Sequence, residues 1–256
     1  MRIRRRSAAI FALAAAGALM VAGVAFAAPT STFLFTAGPK TAPKTTFKAG
    51  SLFTNLTTHY TNPGNNNPGG AVERTQIFLD KNFKINPGAA GTCAESKLTG
   101  ATMKQAMARC AGALVGKGNA TASANGAFTI NGCVLLFNGP PSAGNPTLQV
   151  FTRVNASPPG AISCANPAQN TQGNATVLLK GVLRPAAAPY GKVLDVDHIT
   201  QSAAFPLEVF KTTIKKGNYF SVRCNAADHL WRMKTTWTYN NNTKRTVSKT
   251  QQCTVG

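Results

Sequence analysis

The fold of this chain is restricted most by a long succession of short strand-like segments that are separated by turn residues. The segments are rich in apolar and β-branched residues, and they cover residues 47–60, 72–85, 113–124, 127–137, 147–155, 175–183, 207–214, 219–224, 230–239 and 246–253. Short strands with frequent turns are typical of antiparallel β-sandwiches and jelly rolls. We therefore expect an all-β fold, a jelly-roll-like antiparallel β-sandwich of about ten strands, in one domain over residues 47–256.

Residues 230–239 show the clearest strand alternation in the sequence. Trp231, Met233 and Trp237 share one face of this segment, and Arg232 and Lys234 share the other. We interpret the tryptophan face as core, because large aromatic side chains dominate the interiors of β-sandwiches. Exposed tryptophans would instead form a platform on which sugars stack.

Two turn patterns suggest how the strands connect. Asn125-Gly126 predicts a hairpin between residues 113–124 and 127–137, since this dipeptide favours the tight turns of β-hairpins. Turn residues also separate the last four segments, and we expect these to form a C-terminal meander.

Six cysteines suggest three disulfide bonds if the chain is exported. Their order along the chain favours the pairs Cys93–Cys110, Cys133–Cys164 and Cys224–Cys253. The first pair flanks the one good helix candidate, residues 98–108, which Thr99 or Thr102 could cap. The spacing contains no Cys-x-x-Cys, so neither a metal site nor a cofactor is expected.

The N-terminal segment has the pattern of a secretory signal peptide. Four arginines precede an apolar run, and Ala25-Phe26-Ala27 forms a small-x-small cleavage site. We predict that residues 1–27 are removed on export and that no membrane span remains; an uncleaved anchor is the alternative. Residues 28–46 are interpreted as a flexible lead-in that could also pair with a sheet edge.

The formal net charge of the chain is +20, of which the leader supplies four positive charges. Such a charge favours anionic partners. The basic residues are spread along the sequence without the stripe or motif of a nucleic-acid binder, so nucleic acid is not expected as a partner. The alternative is that the charge supports solubility alone.

Several short motifs resemble a group of uncharacterised secreted proteins from actinobacteria and their relatives. These motifs are Leu56-Thr-Thr-His-Tyr, Lys81-Asn-Phe-Lys-Ile-Asn, the helix between Cys93 and Cys110, Gly116-x-Gly118, Phe137-Asn-Gly-Pro, Gly181-Val-Leu, Asn218-Tyr-Phe-Ser-Val-Arg-Cys and Gln252-Cys-Thr. The Cys133/Cys164 pair is an addition to this pattern. The resemblance implies an exported β-rich protein and carries over no catalytic residue.

The best candidate binding surface is a basic face of the expected meander. It would consist of Lys211, Lys215, Lys216, Arg232, Lys234, Lys244 and Arg245, with Lys249 nearby. Exposed lysines are also an ordinary protection against edge-to-edge pairing of sheets.

Candidates for catalysis are few. Asp195 and Asp197 could share a strand face as paired carboxylates, with His198 next to them, and Asp228-His229 is a second acid–histidine pair. We interpret these residues as turn, loop or salt-bridge groups, because no nucleophile elbow accompanies them.

The sequence therefore favours an exported, non-enzymatic surface or extracellular protein that contacts anionic envelope polymers through the basic face. A secreted hydrolase or carbohydrate-active protein and a purely structural surface protein are the alternatives.

Overall fold

The structure is a computed structural model that describes residues 30–59, 72–124, 128–154, 164, 175–197, 207–225, 227–239 and 242–256. The fold is all-β and almost entirely antiparallel. In chain order its strands are β1 Thr30–Gly38, β2 Thr41–Ala42, β3 Lys48–Ala49, β4 Ser51–His59, β5 Val72–Asp80, β6 Phe83–Ile85, β7 Leu114–Ala124, β8 Phe128–Ser142, β9 Asn145–Val154, β10 Ala175–Pro185, β11 Tyr190–Asp197, β12 Leu207–Ile214, β13 Phe220–Val222, β14 Leu230–Tyr239, β15 Lys244–Gln252 and β16 Thr254–Val255. Two short helices, α1 Glu95–Leu98 and α2 Met103–Arg109, lie between β6 and β7.

Eleven of these strands form one sheet, in the order β1-β4-β12-β7-β8-β9-β10-β11-β5-β14-β15. The strands β7 to β11 are neighbours in both sequence and space, and the hairpin predicted between β7 and β8 is confirmed by their register. The predicted C-terminal meander is wrong: β12 pairs with β4 and β7, and β13 lies in a separate sheet with β3 and β6. Only β14 and β15 pair as consecutive strands of that region.

The two outer strands of the sheet, β1 and β15, lie beside each other. The side chain of Gln251 on β15 joins them, because its Oε1 accepts a hydrogen bond from the Ala37 N–H at 2.7 Å and its Nε2 donates to the Ala37 carbonyl at 2.8 Å. The large sheet is therefore a nearly closed barrel rather than clearly the two packed sheets of the expected sandwich.

Alternate residues of the strands face the inside of this barrel. On β14 the inward residues are Trp231, Met233, Thr235, Trp237 and Tyr239, and all five are buried. The interpretation of the tryptophan face as core is confirmed.

Part of the lead-in expected over residues 28–46 forms a strand in the structure. Thr30–Gly38 forms an edge strand along β4, and it places Phe33, Phe35 and Ala37 in the core. The alternative of edge pairing is therefore the correct one for these residues.

One end of the barrel is closed by the small sheet β3-β13-β6 and an aromatic cluster. The ring of Phe83 lies 5.3 Å from that of Phe220 and 5.5 Å from that of Trp231. The indole N–H of Trp231 donates to the Arg223 carbonyl at 2.7 Å. A disulfide between Cys224 and Cys253 ties β13 to the end of β15 at this closed end.

The helices cover the outer surface of β8 and β9. Leu98 and Met103 are fully buried there, against Leu135, Phe137 and Phe151. The single helix expected over residues 98–108 is two helices, and between them Gly100 adopts the left-handed conformation, with φ +66°.

Thr102 caps α2 as one of the two expected caps. Its hydroxyl accepts from the Gln105 N–H, and the Gln105 side chain accepts from the Thr102 N–H, which is a complete capping box.

The three disulfides in the structure are the pairs favoured by the order of the cysteines, Cys93–Cys110, Cys133–Cys164 and Cys224–Cys253. Disulfides persist in oxidising compartments. The predicted signal peptide and its cleavage lie outside the described residues. Within the described ranges, none of the helices is long and apolar enough to cross a membrane.

Candidate ligand-binding cavity

The interior of the barrel contains a cavity of about 360 Å³. Its wall is built by inward side chains of β4, β5 and β7 to β12, together with Ile85 of β6, Tyr219 and Trp237 of β14. Most of these side chains are aliphatic; on three adjacent strands they are Leu148 and Val150, Leu179 and Leu183, and Leu194 and Val196. The space is therefore enclosed mainly by branched hydrocarbon.

The cavity follows from the number of strands and from the sizes of the inward residues. Eight strands already give a barrel interior that side chains just fill or that holds one small ligand, and the diameter grows with strand number. Eleven strands form the present sheet. The inward residues of β7 include the small Ala120 and Ala122, which do not reach the barrel axis.

Few polar groups line the cavity, and most already have partners. The hydroxyls of Thr54 and Thr212 bond each other at 2.9 Å, and the Thr58 hydroxyl donates to the Leu207 carbonyl. Glu208 is the only charged residue of the described lining. Tyr219 is 1% exposed, and its hydroxyl has no hydrogen-bond partner among the described residues.

The electrostatics of the site are those of a mainly apolar cavity. Burial raises the pKa of Tyr219 well above its ordinary value, so its phenol stays protonated. Typical small-molecule sites have about 300–1,000 Å³, apolar walls and a few polar groups that fix orientation, and this cavity has all three properties.

The basic residues proposed from the sequence do not lie on one face. Lys211 is exposed on β12, whereas Arg232 and Lys234 lie on β14. Going round the barrel from β12 to β14, the intervening strands are β4, β1 and β15. The expected neighbourhood is wrong because it assumed that β12 and β14 belong to the same meander.

Several of these cations already have contacts. Arg232 forms an ion pair with Asp228 at 2.6 Å, and the Lys234 Nζ lies 4.0 Å from the centre of the Phe78 ring. Lys216 donates to the Gly112 carbonyl. Lys215, Lys244 and Arg245 are exposed. Binding of anionic polymers stays a prediction.

The carboxylates considered for catalysis lie apart from the cavity wall. Asp195 is buried on the outer face of β11, where Arg74 holds both of its oxygens at 2.7 and 2.6 Å. Asp197 is exposed at the end of the same strand, and His198 lies outside the described residues. Asp195 therefore has the salt-bridge role that we favoured.

Asp228 and His229 occupy the turn before β14. The ion pair with Arg232 lowers the pKa of Asp228, and the Asp228 carboxylate also accepts from the Leu230 N–H at 3.3 Å. His229 has a left-handed backbone with φ +52°, and its N–H donates to the Asn225 carbonyl. These contacts stabilise the conformation of the turn.

The described residues contain no group of three His, Cys, Asp or Glu that could hold a metal ion.

Sequence reasoning missed the cavity altogether. Each wall strand looks like an ordinary half-buried strand, and an empty interior leaves no motif. The usable signal was the size of the inward residues: β14 carries large aromatic residues inward, whereas the cavity-lining residues of β9, β10 and β11 are leucine, valine and threonine. Side chains of that size do not fill a barrel of this width.

Comparison with known proteins adds no relative: no family model, no curated protein and no solved structure matches this chain. The functional argument therefore depends on the geometry of the cavity.

Proposed function

We propose that this protein is an exported, non-enzymatic binding protein that holds an apolar small molecule inside its barrel. The observation that carries the proposal is the cavity of about 360 Å³ with an aliphatic wall. The leader, the three disulfides and the high positive charge support a secreted or cell-wall-associated location.

A cavity that holds a bound ligand is a better explanation of this interior than a cavity that stays empty. Protein interiors are close-packed, and an unfilled apolar cavity destabilises a fold by an amount that grows with its volume. For a cavity of this size the penalty is on the order of several kcal/mol, a large part of the stability of an ordinary domain. Water molecules in the cavity would offset little of this penalty, because an ordered water molecule needs two or more polar partners.

Binding fits the lining better than catalysis does. General acid–base or nucleophilic chemistry needs several polar groups that converge on a reacting atom. The polar residues of the described lining are instead one tyrosine, one glutamate and five threonines, with hydrocarbon between them: Tyr219, Glu208, Thr54, Thr58, Thr75, Thr152 and Thr212.

The proposal is tested by filling the cavity. Ala120 faces inward on β7, and Asn119, the residue before it, is exposed on the outer surface. The purified protein is titrated with N-phenylnaphthylamine, an uncharged dye that fluoresces in apolar surroundings. We expect the wild type and an Asn119→Phe control to bind the dye, and Ala120→Phe to bind it at least tenfold more weakly, because the new ring occupies the site.

Heat denaturation of the same proteins provides an independent measurement. Ala120→Phe should unfold at a higher temperature than the dye-free wild type, since the ring fills empty volume. Absence of dye binding by the wild type, or equal binding by both phenylalanine variants, would contradict the proposal.

A further inference from the structure

We propose that the ligand is a cationic amphiphile, with an apolar body that fills the cavity and an ammonium group that pairs with Glu208 at the end of the barrel opposite the closed end. This inference rests on the proposed function and narrows its ligand class to long-chain amines and similar singly charged cations.

Glu208 and the closed end lie at opposite ends of β12. The last residue of that strand, Ile214, is paired in register with Leu52 of β4. Gly50, just before β4, donates to the carbonyl of Phe220, which belongs to the aromatic cluster that closes the barrel. Glu208 is about 20 Å from Ile214 along the extended strand. An elongated ligand in the cavity would therefore have one end at Glu208 and the other against hydrocarbon.

A β-bulge at Glu208 brings two consecutive residues to the cavity wall. Leu207 and Val209 are paired with consecutive residues of β7, so Glu208 between them is an extra residue in that ladder. In a regular strand only alternate residues share a face, whereas Leu207 and Glu208 both line the cavity. The Thr58 hydroxyl holds this segment by donating to the Leu207 carbonyl. Bulges occur often beside functional sites because they redirect a side chain.

The carboxylate of Glu208 is available to a ligand. The residue is half-buried, and neither of its oxygens belongs to the fully buried side-chain atoms of the described residues. It forms no hydrogen bond or ion pair within the described part of the chain. Asp195 and Asp228, by contrast, are both paired with arginines. An accessible carboxylate in an apolar wall stays hydrated until a cation on a ligand pairs with it.

The charge of the lining selects a cation against an anion. The chain has 27 basic and 7 acidic residues, yet the described lining contains Glu208 and no Lys, Arg or His. A fatty-acid carboxylate would lose its hydration there and would meet a like charge instead of a cation.

An ammonium group would instead form a charge-assisted hydrogen bond with Glu208. Aromatic rings such as that of Phe210, the next inward residue of β12, also attract cations. The positive groups elsewhere on the protein are screened beyond about 10 Å at moderate salt, so the nearest charge decides.

The test uses three competitors of equal size. n-Undecylamine, 1-undecanol and decanoic acid have the same number of heavy atoms, and at neutral pH their head groups are positive, uncharged and negative. Each is used to displace N-phenylnaphthylamine from the wild type, from Glu208→Gln and from Glu73→Gln.

Glu73 is the matched control for Glu208. It is a half-buried glutamate near the start of β5, at the same end of the barrel as the start of β12, and it does not line the cavity. Both variants remove one negative charge, so they differ only in where that charge stood.

We expect the wild type and Glu73→Gln to bind n-undecylamine roughly tenfold more tightly than 1-undecanol, because a hydrogen bond between two charged groups is about twice as strong as a neutral one. Decanoic acid should bind these two proteins most weakly. Glu208→Gln should bind the amine and the alcohol about equally, since its amide keeps the size of the side chain but not the charge. The uncharged dye should bind all three proteins alike.

Equal affinity of the wild type for the amine and the alcohol, or an unchanged amine preference in Glu208→Gln, would overturn the role of Glu208 and leave the cavity as a binding site. The same holds if Glu73→Gln loses the preference as completely as Glu208→Gln does. Failure of the dye and of all three competitors to bind the wild type would overturn the proposed function as well.

Discussion

The surroundings of an aspartate decide whether its contribution to stability rises or falls with pH, as Asp80 and Asp228 show. Asp80 is 1% exposed at the end of β5, and its two oxygens accept from the N–H groups of Asn82 and Arg232 at 2.8 and 2.7 Å. Burial raises its pKa above the ordinary 3.8, although both hydrogen bonds act in the opposite direction. Asp228 is a surface residue whose pKa is lowered by its hydrogen bond to Arg232.

These opposite shifts predict opposite dependences on pH. Folded Asp80 binds its proton more tightly than unfolded Asp80, so its contribution to stability falls as the pH rises from about 4 through the raised pKa. The free energy of unfolding of the wild type minus that of Asp80→Asn should therefore decrease over that range. Urea denaturation at a series of pH values measures it.

Asp228→Asn is the matched variant. Folded Asp228 releases its proton more readily than the unfolded chain does, so its contribution to stability is present above about pH 4 and is lost as the pH falls through the lowered pKa.

The outcome that would contradict the prediction for Asp80 is a stability advantage of the wild type over Asp80→Asn that grows with pH. It would show that the two hydrogen bonds of Asp80 outweigh its burial.

The contact between β1 and β15 decides how completely the sheet closes. Between these strands the Gln251 carboxamide bonds both backbone groups of Ala37, as a residue of a paired strand would do. Gln251→Glu keeps the acceptor, removes the donor and places a carboxylate oxygen against the Ala37 carbonyl. We expect this variant to lose about 1–3 kcal/mol of unfolding free energy and to exchange the Ala37 amide hydrogen faster.

The control is Gln252→Glu, which makes the same change of charge at an exposed neighbour. If both variants exchange the Ala37 amide as slowly as the wild type does, then the Gln251 contact does not hold the two strands together.

The strands themselves could be predicted well where local pattern decides them. The alternation over residues 230–239 gives β14 with its inward face, and the expected residues 207–214 coincide with β12. Tyr190–Asp197, which is β11, was missed because Gly191, Lys192 and two aspartates break the apolar pattern. Its outer face is stabilised by an ion pair between Asp195 and Arg74, a residue 121 positions away, and no local rule could find that contact.

The order of the strands could not be predicted for the same reason. β12 lies between β4 and β7, and β5 lies between β11 and β14, so both insertions pair strands that are distant in sequence. The composition of one strand says which of its faces is buried but not which strand lies beside it. The candidate site depends on that order, because the cavity exists only when eleven strands curl round a common axis with medium-sized residues inside.

At the scale of the whole molecule, we expect stability and ligand binding to depend on different groups. The disulfide at the closed end allows this expectation to be tested. Cys224 and Cys253 are 29 residues apart in sequence, and neither lines the cavity. Replacing both by serine frees the unfolded chain from a cross-link, which should lower the free energy of unfolding by about 2–4 kcal/mol. The folded variant should still bind N-phenylnaphthylamine like the wild type, because the aromatic cluster of Phe83, Phe220 and Trp231 still closes that end. Denaturation and dye titration of the same preparation measure both quantities. A variant that keeps its near-ultraviolet circular dichroism but loses dye binding would show that the cross-link itself holds the cavity shut, and the barrel wall alone would then not be the binding site.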